Sequence, residues 1–140
     1  MDAGNMVLDT PERKILIADD DFFMRGQAKL ALQDLGQIIE AESGDEVLDL
    51  YKKHNPTLVL LDIHMPKQGG KDVLKQLLKH DPNAYVIMFS SDAVAANVQA
   101  AKFGGAKGFI AKPFTRQDLL KYVLNCPAMQ AARAAGSKQA

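Results

Sequence analysis

The feature that most constrains this chain is a strict alternation of short apolar runs with helix-periodic segments. The runs are "KILIA" (Lys14–Ala18), "QIIEA" (Gln37–Ala41), "TLVLLD" (Thr57–Asp62), "AYVIMFS" (Ala84–Ser90) and "GFIA" (Gly108–Ala111). Each is too short for a buried helix and rich in branched residues, so each predicts a strand. Alternating strands and helices predict a parallel sheet with helices on its faces. Most of the runs are apolar at successive positions, as strands buried on both faces are.

The intervening segments carry helical punctuation. From Phe22 to Leu35 the period changes, with Met24, Ala28, Ala31 and Leu35 on one face and Gly36 as a C-terminal stop. Ser43 and Glu46 form a capping-box pattern ahead of Val47, Leu50 and Tyr51, and Asn55–Pro56 ends that helix. Val73, Leu74, Leu77 and Leu78 mark a third helical face. Asp92–Phe103 is alanine-rich and predicts a fourth, and Thr115 caps a fifth through Leu119, Leu120, Val123 and Leu124. Residues 1–13 read as an N-terminal extension, 14–126 as the domain, and 127–140 as a flexible tail or linker stub.

Bulk properties narrow the function. A chain of 140 residues suits one core. Seventeen basic and seventeen acidic side chains cancel, so charge gives no case for direct nucleic-acid binding. The single cysteine, Cys126, excludes an internal disulfide and a cysteine zinc site. No apolar run nears the roughly 20 residues that cross a bilayer, and the N-terminus lacks a signal-peptide core. The expectation is a soluble cytoplasmic domain with no membrane contact.

Ligands of open parallel sheets bind beyond the carboxyl ends of the strands. Standing there are Asp19 and Asp20 after strand one, Glu42 after strand two and Asp62 ending strand three. Strand four ends in Ser90–Ser91, and strand five in Lys112–Pro113. Singly, each acid reads as a cap, Ser90 as a helix cap and Lys112 as a solvated charge. Together, three carboxylates at one edge would repel one another, and a divalent cation removes the conflict. Magnesium suits such hard oxygen donors, and a lysine and a hydroxyl suit phosphoryl oxygens. The set reads as a site where a carboxylate accepts a phosphoryl group.

"ILIADD" (Ile15–Asp20), "LVLLDIHMP" (Leu58–Pro66), "VIMFSS" (Val86–Ser91) and "GFIAKPF" (Gly108–Phe114), in this order at the strand ends, resemble the receiver domain of bacterial two-component response regulators. The resemblance runs from about Lys14 to Cys126. It implies a flavodoxin-like three-layer α/β/α sandwich: a five-stranded parallel sheet in order 2-1-3-4-5 with five helices. It implies that Asp62 is the phosphoacceptor, fed by a histidine kinase or phosphotransfer protein. Asp20 would be the direct magnesium ligand, with Asp19 helping through water and the His64 backbone carbonyl completing the site. Lys112 would bind the phosphate, with Pro113 after a cis bond. Ser90 and Phe109 would be the switch pair, reshaping the face of the fourth helix, fifth strand and fifth helix for a downstream partner, an output domain or a homodimer. Such a module is not an enzyme acting on an outside substrate, although it catalyses its own phosphorylation and dephosphorylation.

Some residues stay open. The His64 ring reads as solvent-facing, since histidine suits transition metals better than magnesium, yet it or Asp92 could affect the hydrolytic water. His54 and His80 read as dipole-complementing groups at helix ends, Cys126 as inert, and Phe23–Met24 as core or helix surface. Two other classes compete. An aspartate-based phosphohydrolase usually has its two acids two residues apart on strand one, but Asp19 and Asp20 are adjacent and the candidate nucleophile is on strand three. A flavin mononucleotide binder needs a hydroxyl- and glycine-rich loop after strand one, where this chain has the acidic "DDDFFMRG".

Overall fold

A computed structural model describes residues 13–90, 104–127 and 129. Five strands form one parallel sheet: β1 (Lys14–Ala18), β2 (Gln37–Ala41), β3 (Leu58–Asp62), β4 (Val86–Ser90) and β5 (Gly108–Ala111). Their order is β2-β1-β3-β4-β5. Four helices are seen among the described residues: α1 (Phe22–Leu32), α2 (Gly44–His54), α3 (Gly70–His80) and α4 (Arg116–Val123). The expected helix at Asp92–Phe103 lies outside the described residues, as do residues 1–12, 128 and 130–140. α4 is the helix expected last in the chain.

Side chains alternate across the central strands, so each face has its own core. Leu16, Val59, Leu61, Val86 and Met88 pack against Val47 and Tyr51 of α2 and Val73, Leu74 and Leu77 of α3. Ile15, Ile17, Leu58, Leu60, Ile87 and Phe89 pack against Ala28 and Leu32 of α1 and Leu119 and Val123 of α4. β3 and β4 are buried at every position, which is why they read as unbroken apolar runs. Cys126 and Met129 pack into the second core, carrying it past Pro127.

The caps match their residue types. The Glu46 carboxylate accepts from the Ser43 N–H at 3.2 Å. Thr115 and Asp118 bond reciprocally, with Asp118 N–H donating to Thr115 Oγ1 at 3.1 Å and Thr115 N–H to Asp118 Oδ2 at 2.9 Å. Asn55 closes α2 in the left-handed region at φ 47.

α1 differs from the sequence reading in two ways. It ends at Leu32, and its buried face is Arg25, Ala28, Ala31 and Leu32, with Met24 only half-buried. Gly36 is not the residue that stops it. A Cβ there would lie 2.6 Å from the Arg13 carbonyl oxygen, so Gly36 permits the close pass of the chain entering β2.

Candidate phosphoacceptor site

The register of the sheet gathers the strand-end residues. Ala18 pairs with Leu61, so Asp19 stands level with Asp62, and Asp62 pairs with Phe89. The ladders continue one step further: Asp19 N–H donates to the Ala41 carbonyl at 3.1 Å and Lys112 N–H to the Ser90 carbonyl at 2.7 Å. Asp19, Asp20, Asp21, Met24, Asp62, His64, Lys112 and Pro113 line one pocket at this edge.

Three consecutive acids take three tasks. Asp21 caps α1, its carboxylate accepting from Phe23 N–H at 2.9 Å and Met24 N–H at 3.4 Å. Asp19 is fully buried, and its Oδ1 accepts from Asp21 N–H at 2.9 Å. Asp20 between them is exposed to solvent at the pocket.

Asp62 is 4% exposed, and its Oδ1 accepts from the His64 N–H at 3.2 Å. Lys112 enters over the Phe89 ring and places its ammonium 2.7 Å from Asp19 Oδ2 and 3.4 Å from Asp62 Oδ2. Phe89 stacks on Phe114 at 5.1 Å, on the far side of the cis Lys112–Pro113 bond. Burial, and then the Asp19 charge, push the Asp62 carboxyl up to about 6, against the pull of Lys112 and the His64 N–H.

Lys112 thus meets two of the clustered acids, Asp19 and Asp62. Oxygens of Asp19, Asp20 and Asp62 all lie within 4.8 Å of one another. Hard, closely spaced oxygens with unneutralised charge fit a magnesium ion, which binds through few carboxylates and keeps its waters.

The other sequence-predicted residues sit as follows. Ser90 is buried at the end of β4, beside the pocket and outside its lining. Phe109 is half-buried two steps back along the sheet, paired with Met88. The His64 side chain is exposed. His54 and His80 each end a helix, and the His80 ring meets Tyr51 edge-on at 6.0 Å. Asp92 lies outside the described residues.

Residues 15–124 match the family model described as response regulator receiver domain. The chain belongs to the response regulator receiver family. Among relatives of this receiver, the chemotaxis protein CheY of Thermotoga maritima is 40% identical over 104 residues, covering 73% of this chain and 87% of the relative. A response regulator receiver domain from Clostridium thermocellum superimposes with a TM-score of 0.75 at 28% identity, over 86% of this chain and 98% of that one. The CheX–CheY–BeF3–Mg2+ complex from Borrelia burgdorferi matches with a TM-score of 0.70 at 36% identity, over 81% and 87%. The receiver is a signalling module of the CheY-like kind. Its candidate nucleophile on β3 and its adjacent acids after β1 disfavour the phosphohydrolase alternative. No helix among the described residues is long and apolar enough to cross a membrane.

Arg25 is the residue the sequence reading missed. It is 5% exposed on the inner face of α1, and its guanidinium donates to the Asp19 main-chain carbonyl at 2.7 Å. The available signal was its phase: Arg25, Ala28 and Leu32 are spaced as one buried helical stripe, a place where a charge needs partners.

Proposed function

We propose that Asp62 accepts a phosphoryl group from a histidine kinase or phosphotransfer protein, and that this acyl phosphate switches the module. The observation that supports it is the Lys112 ammonium held between Asp19 and Asp62 at the sheet edge. A carboxyl at about 6 is mostly ionised near pH 7, as a nucleophile must be. An Asp62 oxygen attacks the phosphorus of the donor phosphoimidazole. The phosphorus–nitrogen bond breaks, and its electron pair stays on the imidazole nitrogen. Lys112 then has a phosphoryl oxygen to bind in place of its 3.4 Å contact with Asp62.

Asp19, Asp20, Asp62 and the His64 carbonyl would hold a magnesium ion, which supplies positive charge against the phosphoryl oxygens when bound. The complex of a CheY relative with Mg2+ and BeF3 is in keeping with that assignment.

Ser90 is the hydroxyl that turns to the phosphoryl group, and Phe109 the aromatic that follows it. The phosphoryl group shifts the population only by as much as it prefers the rearranged pair. Phe109 has no hydroxyl, so its movement is governed by packing. The surface reshaped would be the β5 and α4 part of the expected switch face, which would receive a protein partner, an output domain or a second copy; the helix expected to complete that face lies outside the described residues.

The test is incubation with acetyl phosphate and magnesium, read by intact mass. Wild type should gain one phosphoryl group and Asp62→Ala none. No gain by wild type from acetyl phosphate or a phosphohistidine donor would reject the assignment.

A further inference from the structure

Arg25 makes hydrogen bonds to three residues at or near the ends of β1 and β2. Besides the Asp19 carbonyl, its Nε donates to Glu40 Oε1 at 3.0 Å and its second terminal nitrogen to Glu42 Oε1 at 3.3 Å. It thereby ties the β1–α1 turn to β2 from beneath, while its head lies 5.8 Å from the Phe22 ring centroid. Its charge is matched locally by Glu40 and Glu42, so its effect on the pocket is geometric.

The remaining polar atoms of Asp19 are also held. Its N–H bonds to Ala41, Oδ1 receives Asp21 N–H and Oδ2 meets Lys112. The Arg25 bond to its carbonyl fixes the last free element, the plane of the Asp19–Asp20 peptide. That plane sets the direction from which the Asp20 side chain leaves the backbone. Asp20 itself is exposed and sits among the site acids with no side-chain hydrogen bond seen among the described contacts.

We infer that Arg25 is a positioning residue for the metal site: by clamping the Asp19 carbonyl it aims Asp20 at the cation without touching it. The inference rests on the magnesium assignment above. Lysine at this position keeps the charge and loses the planar fork that reaches three acceptors at once.

The experiment is magnesium titration by calorimetry on wild type and Arg25→Lys, well below their unfolding temperatures, with folding verified by circular dichroism. Residues that orient a metal ligand typically contribute 10- to 100-fold in affinity. The expected result is a Kd for magnesium raised roughly 10-fold. Labelling by acetyl phosphate should slow at limiting magnesium and return to the wild-type rate at saturation. A folded Arg25→Lys with an unchanged Kd overturns the inference, as does a labelling defect that saturating magnesium does not repair. If Arg25→Lys does not fold, Glu42→Ala is used instead, since Glu42 is 74% exposed and its loss removes one acceptor of the fork. In about 0.5 M salt, where simple charge effects are screened, it should still raise the Kd, and an unchanged value overturns the inference. Absence of magnesium binding by wild type overturns the metal assignment itself, and the inference falls with it.

Discussion

Lys112 Nζ lies 2.7 Å from Asp19 Oδ2, joining two residues 93 positions apart at the open edge of the sheet. The same ammonium reaches Asp62 at 3.4 Å, so one cation serves two buried acids. Removing it leaves both acids buried without that partner.

Lys112→Met should therefore act on chemistry and on titration together. Lys112 pulls the Asp62 carboxyl downward, so without it that carboxyl should titrate above about 6. Labelling by acetyl phosphate should fall by about 100-fold or more, the scale for losing one positioned charge in a site. Carboxyl-carbon NMR titration and intact-mass kinetics read the two effects. A downward shift, or labelling at the wild-type rate, would contradict the assigned role.

Asp62→Asn should stabilise the metal-free protein, and more so at higher pH. Folding raises this carboxyl from 3.8 to about 6, so the native state binds its proton more tightly than the unfolded chain does. Its stabilising effect is complete below the unfolded value and is lost as the pH rises through about 6. The neutral amide escapes that loss. Denaturant unfolding should show a gain of about 1–2 kcal/mol at about pH 7.5 and a much smaller one near pH 4.5. Equal gains at both would exclude Asp62 as the source.

Magnesium should raise the unfolding midpoint of wild type in proportion to its occupancy. At about 100 times Kd the linkage amounts to about 2.7 kcal/mol, which moves a domain of this size by several degrees. Asp20→Asn should fold normally, because Asp20 is exposed, and should lose most of that shift. Thermal scans with magnesium chloride and with chelator separate the cases, and equal shifts in both proteins would remove Asp20 from the metal site.

Gly70→Ala should disturb Asp62 from behind. A Cβ at Gly70 would stand 2.6 Å from the Asp62 carbonyl oxygen and 2.8 Å from Ile63 Cα, backbone atoms that cannot step aside. Overpacking of this kind costs about 1–3 kcal/mol, and the shift should slow Asp62 labelling. Gly69→Ala is the control, since its Cβ would meet nothing closer than 3.9 Å. If both variants match wild type in denaturant midpoint and labelling, close packing behind Asp62 is unimportant.

The amino-acid sequence by itself determined the strands, because burial on both faces leaves the unbroken apolar runs of β3 and β4. It also determined the Ser43–Glu46 box and the Thr115 cap, which are set within four residues, while the reciprocal Asp118 bond came from the structure. Asp62, Asp19 and Lys112 were legible as strand-end residues, and the family motifs gave them candidate roles. Tertiary structure decided what spacing cannot encode. It assigned Asp21 to the cap and Asp19 to Lys112, because only register brings β1, β3 and β5 level. It made Gly36 a point of close chain approach. It buried Arg25, whose partners lie 6, 15 and 17 positions away. A charge on an apolar stripe says only that partners must exist; which ones is fixed by the strand packed beside it.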